Sequence, residues 1–177
     1  MIDTLFEPAP DFDQPIAVLK HCHERIRKQL RTLQNLLEHL PTFGANLDAE
    51  QGAKAILRYF NQAAPNHHAD EEQDLMPMLQ KTAVAEDAAL LSGLLPEIMQ
   101  EHQQMDALWQ VLSPQLEQIA SGASASLSAS DAQRFAALYT AHMEKEETHI
   151  APMAKRLFST EQMAHLGAAM RRRRAIN

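Results

Sequence analysis

Apolar residues recur every three or four positions along most of the chain, which is the spacing of one helix face. In the first segment, Asp13 is a candidate N-cap ahead of Pro15, and Pro41 and Gly44 end the pattern. We therefore predict an N-terminal arm over 1–14 and a helical domain over 15–177. The apolar face of this first helix comprises Leu19, Cys22, Ile26, Leu30, Leu33, Leu37 and Leu40.

A second helix is predicted from about Asp48, with Gln51 as its capping-box partner, to about Lys81. Pro65 lies inside it, and we expect a kink there because proline removes a backbone hydrogen bond and clashes with the preceding turn. The predicted inner face of this helix carries imidazole and carboxylate groups as well as apolar ones: Ile56, Phe60, Ala63, His67, Glu71, Leu75 and Met78.

The third helical segment is predicted in two parts. Residues 86–91 form a short helix that Ser92 and Gly93 interrupt, and a long helix follows over 94–120. The low-complexity segment 121–130 predicts a mobile linker because small polar residues bury little apolar surface. The inner face of the long helix comprises Leu95, Met99, His102, Met105, Trp109 and Leu112.

A fourth helix is predicted after Ser130, with Gln133 as its capping-box partner, and Ser159 and Gln162 cap a short last helix. Four amphipathic helices joined by short links predict an all-α fold, a mostly antiparallel four-helix bundle with a short extra C-terminal helix. The inner face of the fourth helix comprises Phe135, Leu138, His142, Glu146, Ile150, Met153 and Leu157.

Composition narrows the range of partners. The formal net charge of -7 argues against nucleic acid, and the basic run 171–174 is interpreted as a solvated helix end. Cys22 stands alone, so an intrachain disulfide is excluded. With no signal peptide and no bilayer-spanning apolar run, we expect a cytoplasmic protein without a membrane partner. Six methionines are expected in the core, not at a copper site: Met76, Met78, Met99, Met105, Met143 and Met153.

One motif occurs twice, in segments 67–78 and 142–153, where His, Glu, Glu, Pro and Met fall at the same offsets. Residues four apart share a helix face, so each motif histidine points the same way as the first motif glutamate. Both pairs lie on inner faces, and a buried carboxylate is costly unless it is paired or binds a metal. The repeat therefore indicates a cation in the core.

The first and third helices supply one further histidine each. His23 shares a face with Ile26 and Leu30, whereas His21 points to nearly the opposite side. On the third helix, His102 is in phase with Trp109. The predicted metal ligands are four imidazoles and two carboxylates: His23, His67, Glu71, His102, His142 and Glu146.

This donor set suits two metal ions, because each glutamate can bridge two cations while the imidazoles bind them from outside. Mixed imidazole and carboxylate ligands favour iron, manganese or zinc over calcium or magnesium. Ferritin-like bundles use a different set, four glutamates with Glu-x-x-His pairs. The larger number of histidines separates this chain from that class.

Over 15–157 the sequence resembles the hemerythrin family, specifically its HHE cation-binding branch. The resemblance implies a four-helix bundle around a non-haem di-iron centre with an oxo or hydroxo bridge, bridging glutamates and terminal histidines. It also implies binding, sensing or reaction with dioxygen, nitric oxide or peroxide, a role in stress response, or iron handling. The motifs that carry it are His23-x-x-Ile26, His67-x-x-x-Glu71 with Pro77, Glu101-His102, and His142-x-x-x-Glu146 with Pro152.

The chain departs from the oxygen-carrying hemerythrins on the third helix, where those proteins have two histidines one turn apart. Here Ile98 precedes His102 by one turn and Asp106 follows it. The site is one imidazole short unless Asp106, His39 or solvent takes that place. This difference argues against simple oxygen carriage and favours reactivity, nitric oxide binding or metal exchange.

Two residue assignments stay open. His68 and Glu72 also share a helix face, although only the first histidine of the His-His pair matches the second motif. Glu72 and Glu147 are interpreted as supporting or surface residues. Glu101 is either a group that orients His102 or a solvated charge.

Several functions also stay open. Besides ligand binding or sensing, the chain could supply iron to other proteins or repair their iron centres, reduce nitric oxide or peroxide, or act as a metal-free helical interaction module. A metal-binding protein is favoured over a classical enzyme. The partners considered are a small diatomic ligand or peroxide, client proteins that receive iron, and a second copy of the chain in a homodimer.

Overall fold

A computed structural model describes residues 10–176, and these residues form five helical rods and no strand. Rods α1 and α3 each pack against both α2 and α4, and α5 lies against α1 and the middle of α2. The predicted antiparallel four-helix bundle with a short C-terminal helix is confirmed. No helix in this described range has the length and apolarity needed to cross a bilayer. The rods are α1 (Pro15–Phe43), α2 (47–82), α3 (Ala85–Ala120), α4 (129–157) and α5 (Thr160–Arg173).

Helix α1 begins at Pro15, but the residue at the N-cap position is Gln14, which makes no side-chain capping bond. The predicted cap at Asp13 is therefore wrong. At the other end, Gly44 has a φ of 66°, a left-handed conformation that glycine adopts without strain. Residues 1–9 of the predicted arm lie outside the described residues, so the division into 1–14 and 15–177 stays a prediction.

The N-cap of helix α2 lies two residues before the predicted one. The side chain of Asn46 accepts a hydrogen bond of 3.1 Å from the backbone N–H of Ala49, so the helix begins at Leu47. The capping box predicted at Asp48 and Gln51 is wrong, because Asn46 already satisfies the first free backbone donor. The segment then continues to residue 82, close to the predicted end.

The caps of the last two rods give one correction and one confirmation. Ser128, not Ser130, caps α4, and its hydroxyl accepts from the backbone N–H of Asp131 at 3.3 Å. The linker is therefore two residues shorter than predicted. At the start of α5, Ser159 and Gln162 form the predicted capping box, each side chain accepting from the other residue's backbone N–H.

Helix α3 is continuous from Ala85 to Ala120, so the predicted break at Ser92 and Gly93 is wrong. Both residues are exposed, whereas Leu91 and Leu95 on either side of them are 2% and 6% exposed. Burying two leucines outweighs the cost of about 1 kcal/mol that a glycine imposes on a helix. Of the six methionines expected in the core, Met99 is exposed.

Three π-helical turns widen α2 and α4. In each, the backbone N–H of the residue after the turn donates to the carbonyl oxygen five positions back. A proline follows each turn at the same distance, and its ring would clash with a carbonyl of a regular α-helix. The kink predicted at Pro65 thus takes the form of a π turn. The turns span Tyr59–Ala63, Glu71–Leu75 and Glu146–Ile150, and the prolines are Pro65, Pro77 and Pro152.

These wide turns keep residues four apart on one face. Successive residues of an α-helix are rotated by about 100°, so positions four apart drift by about 40°. The extra residue of a π turn cancels this drift. As a result, two runs of buried residues follow an unbroken spacing of four, His67, Glu71, Leu75 and Leu79 in α2, and His142, Glu146, Ile150 and Ala154 in α4.

The buried histidines and glutamates form a polar layer between two apolar clusters. Along α1, Leu19 belongs to one cluster, Ile26 to the other, and His23 lies between them. Along α4, Phe135 and Ile150 mark the same two clusters on either side of His142. Apolar packing on both sides therefore fixes the height of the polar layer in the bundle.

Candidate metal centre

Six side chains meet in the polar layer, and every rod from α1 to α4 contributes at least one. None is more than 3% exposed. They form two overlapping groups of four, and the candidate ligand atoms of each group lie within 4.8 Å of one another. The structure thus brings together all six residues that the sequence predicted. One group is His23, His67, Glu71 and Glu146, and the other is Glu71, His102, His142 and Glu146.

Glu71 lies between a histidine of its own helix and one of α3. Its Oε1 is 3.2 Å from His67 Nε2, and its Oε2 is 3.5 Å from His102 Nε2. Burial raises the pKa of the Glu71 carboxyl well above its usual range, and the nearby Glu146 carboxylate raises it further. Two carboxylates in one buried space repel each other unless a cation lies between them.

Glu146 repeats this arrangement from α4. Its Oε1 is 3.4 Å from His142 Nε2 on the same helix, and its Oε2 is 3.2 Å from His23 Nε2 on α1. Both glutamates belong to both groups of four. Each carboxylate therefore has a histidine beside each of its oxygens.

Several buried polar atoms in this layer have no hydrogen-bond partner among the described residues: both ring nitrogens of His67, His23 Nε2, Glu71 Oε2 and both carboxylate oxygens of Glu146. Buried polar atoms are satisfied in nearly all folded proteins. Burial lowers the pKa of His67 well below its usual range, as do the neighbouring histidines, so its imidazole is neutral and can bind a metal. The donor set fits a metal site, whereas a metal-free helical module would leave these atoms unsatisfied.

Three further glutamates hold the imidazoles from outside. Each carboxylate lies within hydrogen-bond distance of a histidine Nδ1, which leaves Nε2 directed into the centre. Such contacts fix the orientation and tautomer of metal-binding histidines. The pairs are His23 with Glu147 at 2.9 Å, His102 with Glu72 at 2.6 Å, and His142 with Glu101 at 2.9 Å.

The pairing of Glu101 differs from the expectation. Although Glu101 precedes His102 in the sequence, its carboxylate reaches His142 on α4, and Lys145 Nζ also donates to it at 2.6 Å. Adjacent residues of a helix point about 100° apart, so Glu101 faces a different neighbour from His102. Glu72 of α2 orients His102 instead. Sequence reasoning missed these contacts because each joins two different helices.

His68, the alternative to His67, is buried but lies outside both groups of four. Its ring stacks on His102 with a centroid distance of 4.0 Å, and its Nε2 is 3.5 Å from the Tyr139 hydroxyl. His68 therefore packs between the centre and a buried aromatic side chain. The choice of His67 from the repeated motif agrees with this placement.

The place of the missing third-helix histidine is filled by an apolar residue. Ile98 is fully buried in one of the apolar clusters. Asp106 is exposed and lies outside both groups of donors. His39 Nε2 contacts Asn46 Oδ1 at 2.8 Å, near the end of α1. Of the substitutes considered from the sequence, neither of the two protein side chains is brought to the centre.

A cavity of about 460 Å³ reaches the centre from one side. His23, Glu71 and Glu146 line it, whereas His102 and His142 do not. The half of the centre that contains His23 therefore opens to this space. The other half is enclosed by protein.

Two C-terminal arginines neutralise a buried acid next to the centre. Asp70 is 0% exposed, and it accepts hydrogen bonds from Arg173 and from both terminal nitrogens of Arg174, the latter at 3.0 and 2.6 Å. The interpretation of the run 171–174 as a solvated end is wrong for these two residues, because a buried carboxylate needs a cationic partner. Asp70 lies about one turn after His67 on a buried part of α2. This position in the sequence indicates a buried acid that needs a cationic partner.

Comparison with known proteins agrees with this geometry. A protein of Haemophilus influenzae that is described as uncharacterized is 30% identical over 165 residues, which is 93% of this chain and 92% of that protein. Residues 9–154 match the family described as Hemerythrin HHE cation binding domain. The buried histidines and glutamates are accordingly a metal-binding site. The resemblance noted in the motifs is confirmed, and the chain belongs to the hemerythrin HHE cation-binding domain family.

Proposed function

We propose that the chain binds two iron ions side by side, one in each group of donors, and uses them to bind, sense or react with a small oxidant. The observation that carries this proposal is that two groups of four donors share both of their carboxylates. In this arrangement Glu71 and Glu146 would bridge the ions, and the terminal ligands would be His23 with His67 for one ion and His102 with His142 for the other.

Iron is the metal that the ligand set and the family favour together. Imidazole and carboxylate donors also suit manganese and zinc, and membership in the hemerythrin family favours iron. A bound iron pair supplies electrons for the binding or reduction of dioxygen, nitric oxide or peroxide. The chain itself keeps the six donors out of bulk water and holds three of the imidazoles through Glu72, Glu101 and Glu147.

The cavity makes the two halves of the centre unequal. It reaches His23 and both bridging glutamates but not His67, His102 or His142. An external ligand therefore approaches the half held by His23 and His67. The enclosed half, where His68 stacks on His102, would hold its ion in a fixed protein environment.

Reconstitution with ferrous iron followed by exposure to air tests this proposal. We expect two iron atoms per chain and the charge-transfer absorbance of a bridged ferric pair. Glu71→Gln and Glu146→Gln each remove a bridging charge and are expected to lower iron content to one atom or fewer. Glu144→Gln, at an exposed position of the same helix as Glu146, is the matched control and is expected to keep both iron atoms and the absorbance. A wild-type protein that takes up at most one iron would contradict the proposal.

A second candidate function is iron supply to other proteins or repair of their iron centres. Two observations favour it: the third helix provides one histidine, and the His23 half opens to a cavity through which a metal can leave. Under this function, a strong chelator removes the first iron within minutes and the second much more slowly. Iron retention for days against the same chelator would exclude it.

A further inference from the structure

The cavity beside the centre is larger than a diatomic ligand requires. Its volume is about 460 Å³, whereas a water molecule takes up roughly 30 Å³ in the liquid. Pockets that bind organic molecules have volumes of about 300–1,000 Å³. The space is therefore sized for an organic molecule that lies against the metal site.

Apolar side chains from three helices line part of this cavity. Ile16 and Leu19 of α1 form one side, and Leu75 and Ile150 of α2 and α4 complete it. Each of these four side chains belongs to a packed apolar cluster, so the walls are held in position by the core. An aliphatic chain fits such walls because it removes apolar surface from water on both partners.

Positive charge stands at the outer end. Lys20 and Lys155 line the cavity, are themselves exposed, and form no ion pair within residues 10–176. A third charged residue, Glu147, is already bonded to Arg27 and to His23, each at 2.9 Å. The two lysines are thus available to an anionic group, while the inner end carries the carboxylates of the centre.

We propose that this cavity binds a medium-chain aliphatic carboxylate. The carboxylate group lies between Lys20 and Lys155, and the aliphatic chain follows the apolar walls inward, so that its far end reaches the His23 half of the centre. Lysine attracts the anion at the mouth, and in the metal-free protein Glu71 and Glu146 disfavour the opposite orientation. This inference rests on the proposed function, because it names the class of substrate that would lie against the metal pair.

Calorimetric titration of the full chain with octanoate, octanol and octylamine tests the inference, in the metal-free and the iron-loaded protein. We expect saturable binding of octanoate and weaker binding of octanol and octylamine. The double variant Lys20→Gln/Lys155→Gln is expected to weaken octanoate binding by about tenfold and to leave octanol binding unchanged. Lys28→Gln, at an exposed position of α1 outside the cavity, is the control and leaves both unchanged.

A second variant tests the location. Ala151 lines the cavity, and Ala151→Phe places a ring in the space that the aliphatic chain needs. It is expected to abolish binding of both octanoate and octanol while iron content stays at the wild-type value. Octanoate binding that survives this change, or octanol and octylamine binding as tightly as octanoate, overturns the inference.

The outcomes separate the two proposals. Iron-loaded protein that fails to bind octanoate overturns this inference and leaves the di-iron proposal intact. Protein that binds octanoate at the lysines but takes up no iron supports the carboxylate site and contradicts the di-iron proposal.

Discussion

Glu97 and Glu101 lie one turn apart on α3, and Lys145 Nζ donates to both, at 2.9 and 2.6 Å. Only Glu101 also contacts a histidine of the centre, His142. We expect Glu101→Gln to weaken binding of the metal by about 10- to 100-fold, because the neutral amide orients the imidazole less well and lowers its basicity. Competition with a chelator of known affinity measures the change, and Glu97→Gln is the matched control. Equal losses in the two variants would assign the effect to Lys145 instead.

Glu71 gives a prediction whose sign depends on the metal. In metal-free protein its carboxylate shares a buried space with Glu146, so Glu71→Gln removes a repulsive charge without changing the shape of the side chain. We expect the free energy of unfolding to rise in the metal-free state, because a carboxyl whose pKa is raised in the folded protein lowers stability at neutral pH. In the presence of saturating iron the variant is expected to be less stable than wild type. Denaturant titrations with and without iron measure both, and a loss of stability in both states would contradict the prediction.

At the residue scale, the six inner side chains could be predicted because helical spacing alone decides which residues share a face. His67 and Glu71 are four apart, and both lie on the buried side of α2. The outer contacts could not be predicted in the same way. Whether Glu101 contacts His102 or His142 depends on side-chain rotamers and on the distance between two helices. The periodicity of a single helix predicts neither the rotamers nor that distance.

Helix α5 is fastened to α2 by the contacts between its arginines and Asp70. Replacing Arg173 and Arg174 together with alanine leaves a fully buried carboxylate without a cation. We expect the free energy of unfolding to fall by about 3–5 kcal/mol, the usual cost of breaking a buried ion pair. Arg172→Ala, at the exposed position beside them, is the control and is expected to be nearly neutral. Thermal unfolding followed by circular dichroism distinguishes the double variant from the control. Equal melting temperatures would show that the contacts of Arg173 and Arg174 with Asp70 do not stabilise the fold.

Two helical glycines are expected to respond to alanine in opposite directions. A Cβ at Gly167 of α5 would collide with the backbone carbonyl of Phe12, so Gly167→Ala is expected to destabilise the fold by roughly 1–3 kcal/mol. A Cβ at Gly93 of α3 meets nothing within 4 Å, so Gly93→Ala is expected to stabilise it by about 1 kcal/mol. Chemical denaturation of both variants checks this. Stabilisation by Gly167→Ala would show that Phe12 does not lie against α5 in solution.

At the scale of elements, the helices could be predicted from the sequence, but several of the residues at which they begin could not. Gly93 suggested a break because glycine weakens a helix, yet burial of its leucine neighbours decides the outcome. The π turns do have a signal in the sequence. Buried residues at a strict spacing of four, followed by Pro77 or Pro152, do not fit a regular helix. Proline alone is not sufficient, since Pro96 and Pro114 lie within the α-helical part of α3.

For the molecule as a whole, the polar layer links metal binding to stability. It separates two apolar clusters, and several of its buried polar atoms have no hydrogen-bond partner among the described residues. A metal at 100 times its dissociation constant adds about 2.7 kcal/mol of stability. Removing it with a chelator is therefore expected to lower the melting temperature by roughly 5–10 °C. Differential scanning calorimetry measures the shift, and the Glu71→Gln/Glu146→Gln double variant is expected to show none. An unchanged melting temperature in wild type would contradict the link.

The π turns also decide how the chain tolerates a change in its length. Gln73 is exposed within the turn Glu71–Leu75, so its side chain can be exchanged freely. Its deletion is expected to be tolerated as well, because a regular α-helical turn covers nearly the same rotation with one residue fewer. His67 and Leu79 would then be about eleven residues apart, which is roughly three α-helical turns, so both would still face the core. An insertion or deletion in a regular part of the helix would instead rotate everything after it by about 100°. The wide turn in each motif is therefore the place at which α2 and α4 can lose a residue while the metal-binding half of the helix stays in phase with the half that packs the bundle.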